Sequence, residues 1–217
     1  RRADANVRDA FGTSALMATA FAGHVEVCKL LLEARARIDA RNHLGAAALE
    51  AASSLGRLEV VNFLLSAGAT RECSPDGINS LHLAVFLGAG PEIVHALLLA
   101  GLSPHDRVRP RRGGAFWMLL MALWSSSKLG GHGFSSQVGR HFWGATPLMA
   151  AAMRGDGESS RLLLEFNADP EARNDRGATA EELLRIFQPR RGLTRGFTKL
   201  LENSGTSLKR SYSRLSS

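Results

Sequence analysis

Apolar and small residues recur along this chain in blocks bounded by glycines. Between the two glycines of a block the sequence is short and alanine-rich, as in TSALMATAFAG and ATPLMAAAMRG. After the second glycine it becomes amphipathic with a leucine cluster, as in HVEVCKLLLEA. Apolar residues spaced three and four apart form one stripe on a helix. Each block therefore predicts two short helices that are separated by a tight turn at the second glycine.

The glycines also give the period of the pattern. The two glycines of a pair are eleven residues apart, and Gly177 opens a fifth block without a partner. The first glycines of successive blocks are 33, 32, 67 and 33 residues apart, so one step has twice the usual length. Glycine at the second position favours a positive φ where the first helix stops and the chain reverses. The pairs are Gly12 and Gly23, Gly45 and Gly56, Gly77 and Gly88, and Gly144 and Gly155.

Helix-capping residues support the same division. Ser14, Asn79, Thr146 and Thr179 lie where a first helix needs an oxygen to accept its free backbone N–H groups. In the second block Ala47 lies at this position and offers no such oxygen. Because a missing cap costs about 1 kcal/mol, we expect the helix that follows Ala47 to be the least stable of the first helices.

These segments resemble the ankyrin repeat, which has a period of 33 residues and the signature T-P-L-H-x-A. The resemblance is carried by GATPLMAAAMRGD, GINSLHLAVFLG and GHVEVCKLLLEA, and it covers residues 3–109 and 144 to about 187. It implies an all-α fold, an ankyrin-repeat solenoid of stacked helix-turn-helix units with extended connector loops. It also implies that His82, at the histidine position of the family, braces neighbouring connectors by hydrogen bonds.

The pattern divides the chain into four segments. Residues 1–109 contain an incomplete first unit followed by three units, and the start of this segment is typical of the interior of a longer array. Residues 144–188 contain one repeat and a C-terminal capping helix. Residues 189–217 form a basic, serine-rich tail that we expect to be disordered.

The repeat pattern is lost in residues 110–143, and three interpretations remain open. The segment is a decayed repeat, an insertion that loops out of the stack, or an artefact of the gene model. If the segment loops out, its exposed aromatic side chains would mark a contact site; otherwise we expect them to pack over the gap between the third and fourth repeats. These residues are Trp117, Trp124, Phe134, Phe142 and Trp143.

The positive charge of the chain is confined to its tail. The formal net charge is +7, but residues 1–184 carry 19 basic and 19 acidic side chains. Residues 185–217 carry eight basic side chains and one acidic side chain. This tail is interpreted as solubilising disorder, as an anionic-surface segment regulated by phosphorylation at Ser211 and Ser213, or as a short basic amphipathic helix over residues 193–201.

No arrangement of side chains in the sequence supports catalysis or metal binding. One glutamate recurs near the start of each second helix, where the helix dipole favours a negative charge, and this accounts better for its repetition than acid-base chemistry does. The histidines and the two cysteines lack metal-ligand spacing. We therefore predict a non-enzymatic protein with no cofactor and no metal, and a buried, inert thiol at Cys28. The longest apolar run, residues 116–124, is too short to cross a bilayer.

The resemblance implies that the chain binds another protein on a concave surface formed by the connector tips and the first helices. We predict a monomeric scaffold or adaptor in the cytoplasm or nucleus, without a small-molecule substrate and with membrane or nucleic-acid contacts only through the tail. The alternatives are the substrate-recruiting part of a larger enzyme or channel, and an array anchored to anionic surfaces by the tail. The candidate partner-binding residues are an apolar stripe of Phe21, Leu55, Phe86 and Met153 and the polar residues Arg8, Asp9, Arg41, Asn42, His43, Asp106, Arg107, Arg154, Arg173, Asp175 and Arg176.

Overall fold

A computed structural model describes residues 3–70, 77–109, 141–188, 197 and 199–201 of the chain. Within these ranges the chain forms nine short helices and no β-strand, apart from one isolated bridge between Arg8 and Ser14. The helices are α1 (Ala15–Ala22), α2 (Val25–Glu33), α3 (Ala48–Ser54), α4 (Leu58–Ser66), α5 (Ser80–Leu87), α6 (Pro91–Leu99), α7 (Pro147–Arg154), α8 (Gly157–Glu165) and α9 (Ala180–Phe187).

The helices pack in two layers. One layer contains α1, α3, α5, α7 and α9, each in contact with the next, and the other contains α2, α4, α6 and α8. We number the antiparallel pairs as units 1 to 4, from α1 and α2 to α7 and α8, and unit 5 begins with α9. Because α5 packs against α7 and α6 packs against α8, units 3 and 4 are direct neighbours in the stack. The predicted all-α solenoid is confirmed.

The turn between the two helices of a unit depends on glycine, as predicted. Gly23, Gly56, Gly88 and Gly155 have φ values of 90°, 68°, 73° and 72°. A Cβ atom at Gly56 would lie 2.7 Å from the backbone oxygen of Ala89 in the next unit. At this turn glycine therefore serves both the left-handed backbone and the close approach of neighbouring units.

The predicted helix caps are also confirmed. The side chains of Ser14, Asn79, Thr146 and Thr179 each accept a hydrogen bond from the backbone N–H three residues later. Unit 2 lacks this oxygen at Ala47, and its helix α3 is the shortest of those described, with seven residues. The Glu50 carboxylate accepts the Ala47 N–H instead, at 3.1 Å, which supplies half of a capping box.

Small residues allow the layers to approach closely. Each of the first four first-layer helices has at least one alanine with no exposed surface, and α4, α6 and α8 of the second layer each have a fully buried leucine or valine. Close packing of this kind leaves little room for larger side chains at the contact. The fully buried residues include Ala20, Ala52, Ala84 and Ala151 in the first layer and Val61, Leu64, Leu97 and Leu163 in the second.

Part of the tail belongs to the core, which corrects the prediction that residues 189–217 are disordered. Residues 197 and 199–201 are helical, Phe197 is buried, and Leu200 and Leu201 pack against the core cluster. These apolar side chains recur three and four residues apart, so they fit one face of a helix. This arrangement matches the third interpretation of the tail, and the remaining residues of 189–217 lie outside the described part.

Candidate functional site

In units 1, 2 and 5 the first helix is preceded by a tight hairpin, which we call a finger. In units 1, 2 and 5 the fingers are closed by a backbone hydrogen bond across residues 9–13, 42–46 and 174–178, with N to O distances of 2.9 to 3.0 Å. The side-chain oxygen of Asp9, Asn42 or Asn174 accepts two further backbone N–H groups within the same turn. Asp9 and Asn42, both predicted to bind a partner, therefore shape their fingers with these oxygens.

Neighbouring fingers are joined along the edge of the stack. The His43 N–H donates to the backbone oxygen of Phe11 at 3.0 Å, and the Arg8 guanidinium donates to that of Arg41 at 3.1 Å. Units 4 and 5 repeat this second bond, since the Arg107 guanidinium donates to the backbone oxygen of Arg173 at 2.8 Å. The row of fingers therefore presents polar side chains from a fixed backbone.

The finger of unit 4 is split by a long segment. The N–H of Val108 donates to the backbone oxygen of Ala145 at 3.0 Å, and the N–H of Gly144 donates to that of Val108 at 2.9 Å. These are the bonds that Asp9 makes with Thr13 and Gly12 in unit 1. Residues 109–143 lie between these paired ends, whereas the fingers of units 1, 2 and 5 have only two residues at the same place. Most of this segment, residues 110–140, lies outside the described part of the chain.

The ends of the first helices differ in exposure, and this corrects part of the predicted apolar stripe. Phe21 is 53% exposed and Leu55 is 41% exposed, whereas Phe86 and Met153 are fully buried. Phe21, Phe86 and Met153 occupy the same position in their helices, two residues before the turn glycine. The prediction that all four side chains lie on the surface is therefore wrong for Phe86 and Met153.

Two residues at the end of the split finger pack on first helices of units 3 and 5. The ring of Phe142 packs on Phe86 with centroids 4.6 Å apart and an angle of 62° between the planes. His141 packs on Phe187, the last residue of α9, with centroids 5.8 Å apart. Met153 lies in α7, between α5 and α9, and its backbone oxygen accepts a hydrogen bond from Gln188 at 3.2 Å. Phe142 therefore covers the first-helix end of unit 3. We call the fingers and the first-helix ends together the concave face.

Arginine side chains link two of the first helices, α1 and α5, to the next unit. The Arg57 Nε donates to the backbone oxygen of Phe21 at 3.2 Å, and the Arg154 Nη1 donates to that of Phe86 at 3.1 Å. Arg154 is half-buried, and burial lowers the pKa of its guanidinium, an effect that nearby Asp156 opposes. Arg154 thus holds two units together, which the prediction of a partner contact did not foresee. Arg57 is exposed and was not among the predicted residues.

Two predicted finger residues are held by buried side chains. In unit 3, His82 Nε2 lies 3.1 Å from the backbone oxygen of Asp106, and Asn79 donates to the Asp106 carboxylate at 2.7 Å. Burial lowers the pKa of the His82 imidazole to about 4, although the Asp106 charge raises it. The predicted bracing role of His82 fits these contacts. In unit 2, the buried carboxylate of Glu50 pairs with Arg41 at 3.1 Å, and burial raises its pKa despite that partner.

The other predicted residues remain accessible. They occur on the fingers and first-helix ends of units 1, 2, 4 and 5, where their backbone is fixed and their side chains reach solvent. Arg41, Asn42, Asp106 and Arg154 are partly exposed. The exposed ones are Arg8, Asp9, Phe21, His43, Leu55, Arg107, Arg173, Asp175 and Arg176.

The glutamates considered for acid-base chemistry lie at equivalent, exposed places. Glu26, Glu59, Glu92 and Glu158 each occupy the first turn of a second-layer helix, as the dipole argument predicts. Among the described residues, no three histidine, cysteine or acidic side chains converge as metal ligands would. Cys28 is fully buried, with its sulfur 3.3 Å from the Thr19 hydroxyl. In the same part of the chain, no helix combines the length and the hydropathy needed to span a bilayer.

The sequence patterns and this geometry agree with the comparison to known families. A family model described as ankyrin repeats (3 copies) matches residues 1–76, and one described as ankyrin repeat matches residues 143–175. Together they cover half of the chain. No curated protein matches it significantly. Unit 3 lies outside both matches, yet it has the same cap, turn and stacking contacts as its neighbours. The chain therefore belongs to the ankyrin-repeat family.

Proposed function

We propose that this chain is a non-catalytic scaffold or adaptor module that binds another protein on its concave face. Ankyrin repeats are generally protein-interaction modules, and they are typically without catalytic activity. The observation that carries the proposal is the exposure of Phe21 and Leu55 beside a row of fixed, charged fingers. An apolar centre with a polar rim is the usual composition of a protein interface.

Affinity capture from native lysate, with washes at low and high salt, tests this function. The full chain should retain a partner at high salt, and replacing Phe21 and Leu55 together by arginine should abolish the capture. Replacing Leu30 and Leu99 together by arginine is the matched control, because they are 63% and 67% exposed on the second-layer helices α2 and α6, outside the proposed face. Capture that survives Phe21→Arg and Leu55→Arg would refute binding at these first-helix ends.

The basic tail supports a second candidate, an anchor to an anionic surface. This candidate is supported by the charge of residues 185–217, which carry eight basic side chains and one acidic side chain. Binding of this kind weakens steeply with salt. If the tail is the anchor, replacing Lys209, Arg210 and Arg214 by glutamine should abolish capture of the partner. Phe21→Arg should leave that capture unchanged. Truncation before residue 197 is unsuitable for this test, since it would remove Phe197 from the core.

A further inference from the structure

The same pair of side chains occurs at two places on the concave face. Phe21 and Phe86 have equivalent positions near the ends of α1 and α5. The backbone oxygen of each accepts a hydrogen bond from an arginine of the following unit, Arg57 or Arg154. Each arginine also lies across the turn glycine of its phenylalanine, and a Cβ atom at Gly23 would lie 2.9 Å from the Arg57 Cδ. The two places therefore share the arginine contact with the phenylalanine backbone and the turn glycine, although Arg57 follows Gly56 and Arg154 precedes Gly155.

The chain itself shows what packs on this geometry in unit 3. There the ring of Phe142 packs on Phe86 in an edge-to-face arrangement, with centroids 4.6 Å apart, and Phe86 has no exposed surface. Edge-to-face pairs are a preferred geometry of aromatic rings, since the positive edge of one ring meets the negative face of the other. An aromatic ring therefore fits the end of a first helix at this position.

In units 1 and 2 the corresponding surface is open. Phe21 is 53% exposed, and Leu55, two residues before Arg57, is 41% exposed. Arg57 lies against the Phe21 backbone, and Leu55 precedes Arg57 by two residues, so the three exposed residues are neighbours at the ends of α1 and α3. We call Phe21, Leu55 and Arg57 the open patch.

The charge of the open patch is not neutralised by its own surroundings. Arg57 is exposed, and among the described residues it forms no ion pair with a carboxylate. Arg154, its counterpart in unit 4, is half-buried and has Asp156 nearby. A guanidinium next to an apolar surface is suited to a carboxylate, which accepts from its planar array of donors.

We propose that the open patch docks an acidic, aromatic segment of a partner protein. The aromatic side chain packs on Phe21 and Leu55 as Phe142 packs on Phe86, and a neighbouring aspartate or glutamate pairs with Arg57. This assignment rests on the proposed function and adds the location and the chemistry of the contact. It also distinguishes units 1 and 2 from units 3 and 4, where Phe86 and Met153, at the position of Phe21, have no exposed surface.

A display library of random twelve-residue peptides, selected on the full chain, tests the recognition chemistry. The selected peptides should contain Phe, Tyr or Trp with Asp or Glu within a few positions. A synthetic peptide of the selected sequence should bind about tenfold more weakly to Phe21→Ala and to Arg57→Gln, a change that corresponds to about 1.4 kcal/mol. With Arg57→Glu, the peptide with lysine in place of its acidic residue should bind better than the original.

Arg37→Gln is the matched control for Arg57→Gln. Arg37 is also exposed and forms no ion pair with a carboxylate among the described residues. It lies in the connector between α2 and the finger of unit 2, outside the fingers and first-helix ends, so its substitution should leave peptide binding unchanged. Thermal unfolding of every variant separates a loss of binding from a loss of folding.

Several results would overturn the assignment. They are a library that selects basic or purely apolar peptides or none at all, and peptide binding that depends on Arg37 but not on Phe21 and Arg57. The proposed function would survive them if lysate capture still depended on other finger residues of the concave face. Failure of both the peptide selection and the lysate capture would refute the proposed function as well.

Discussion

The two ends of the concave face are built from the same repeat but differ in accessibility. Over units 1 and 2 the first-helix ends expose Phe21 and Leu55, whereas over units 3 and 4 Phe86 and Met153, at the position of Phe21, are buried. The cover over Phe86 comes from Phe142, whose neighbours in sequence belong to the segment that interrupts the repeat. A repeat position thus determines where a side chain lies, and a contact from outside the repeat pattern determines whether that side chain is exposed.

The two ends of the concave face also differ in the buried side chain that holds the neighbouring finger, which we call its brace. Unit 2 uses the charged pair of Arg41 and Glu50, and unit 3 uses the neutral His82 against Asp106. His82 and Glu50 occupy the same position in their helices, three residues after the N-cap. Because burial acts on an acid and a base in opposite directions, the two braces should respond oppositely to pH.

The two ends should differ most in the free energy of unfolding that is lost when an aromatic ring is removed from each. Phe142→Ala should lower the free energy of unfolding by about 4 kcal/mol, since it deletes a buried ring and leaves a cavity above Phe86. Phe21→Ala at the open end should cost less than about 1 kcal/mol, because Phe21 is half exposed. Denaturant unfolding of the two variants measures both values. Equal losses would show that Phe142 does not distinguish the two ends.

Acidification should weaken unit 3 through His82. The folded pKa of His82 is about 4 and the ordinary value is 6.5, so between these values the unfolded chain binds more protons than the folded chain. Stability from this group is complete above pH 6.5 and falls as the pH decreases toward 4, by up to about 3 kcal/mol. The titration of the His82 ring protons, followed by NMR, measures the pKa directly. A midpoint near 6.5 would contradict the buried, neutral imidazole.

Loss of the charged brace in unit 2 should have a smaller effect with the opposite pH dependence. Arg41→Met leaves the buried Glu50 carboxylate without its cation and should cost about 2 kcal/mol at pH 8. The pKa of Glu50 is already raised by burial and rises further without Arg41. Protonation then relieves the unpaired charge, so the loss relative to the unmodified chain should be smaller at pH 5.

Arg173→Met provides the matched control for this substitution. Arg173 has the corresponding position in the finger of unit 5, but its partner Glu182 is exposed and lies 4.0 Å away. An exposed pair contributes less than about 1 kcal/mol, so the free energy of unfolding should change little. If Arg173→Met were as destabilising as Arg41→Met, burial of Glu50 would not be the cause.

The sequence alone was sufficient to predict the repeat, its caps and its turns. The reason is that these features depend on local chemistry: a serine or threonine oxygen caps the N–H three residues later, and glycine accepts a positive φ. The polar fingers could also be predicted, since connectors between packed helices lie at the surface. The third unit, which neither family match covers, has these local signals as well.

The accessibility of the candidate site could not be predicted in this way. Phe21 and Phe86 have the same position in the repeat, and no local signal shows that Phe142 covers only one of them. The role of Arg57 was missed because a single exposed arginine after a turn glycine looks like an ordinary surface charge. The core contact of Phe197 had a signal, the spacing of the apolar residues in the tail, which the basic composition outweighed.

The sequence by itself therefore determined the kind of fold, its period and the positions of its caps and turns, since these depend on residues close in the chain. The tertiary structure decided three further features: the direct packing of unit 3 on unit 4, the pairing of Val108 with Ala145, and the cover that Phe142 places on Phe86. These contacts join residues that are 37 and 56 positions apart. Only the folded backbone brings such residues together, because no short-range preference specifies their distance.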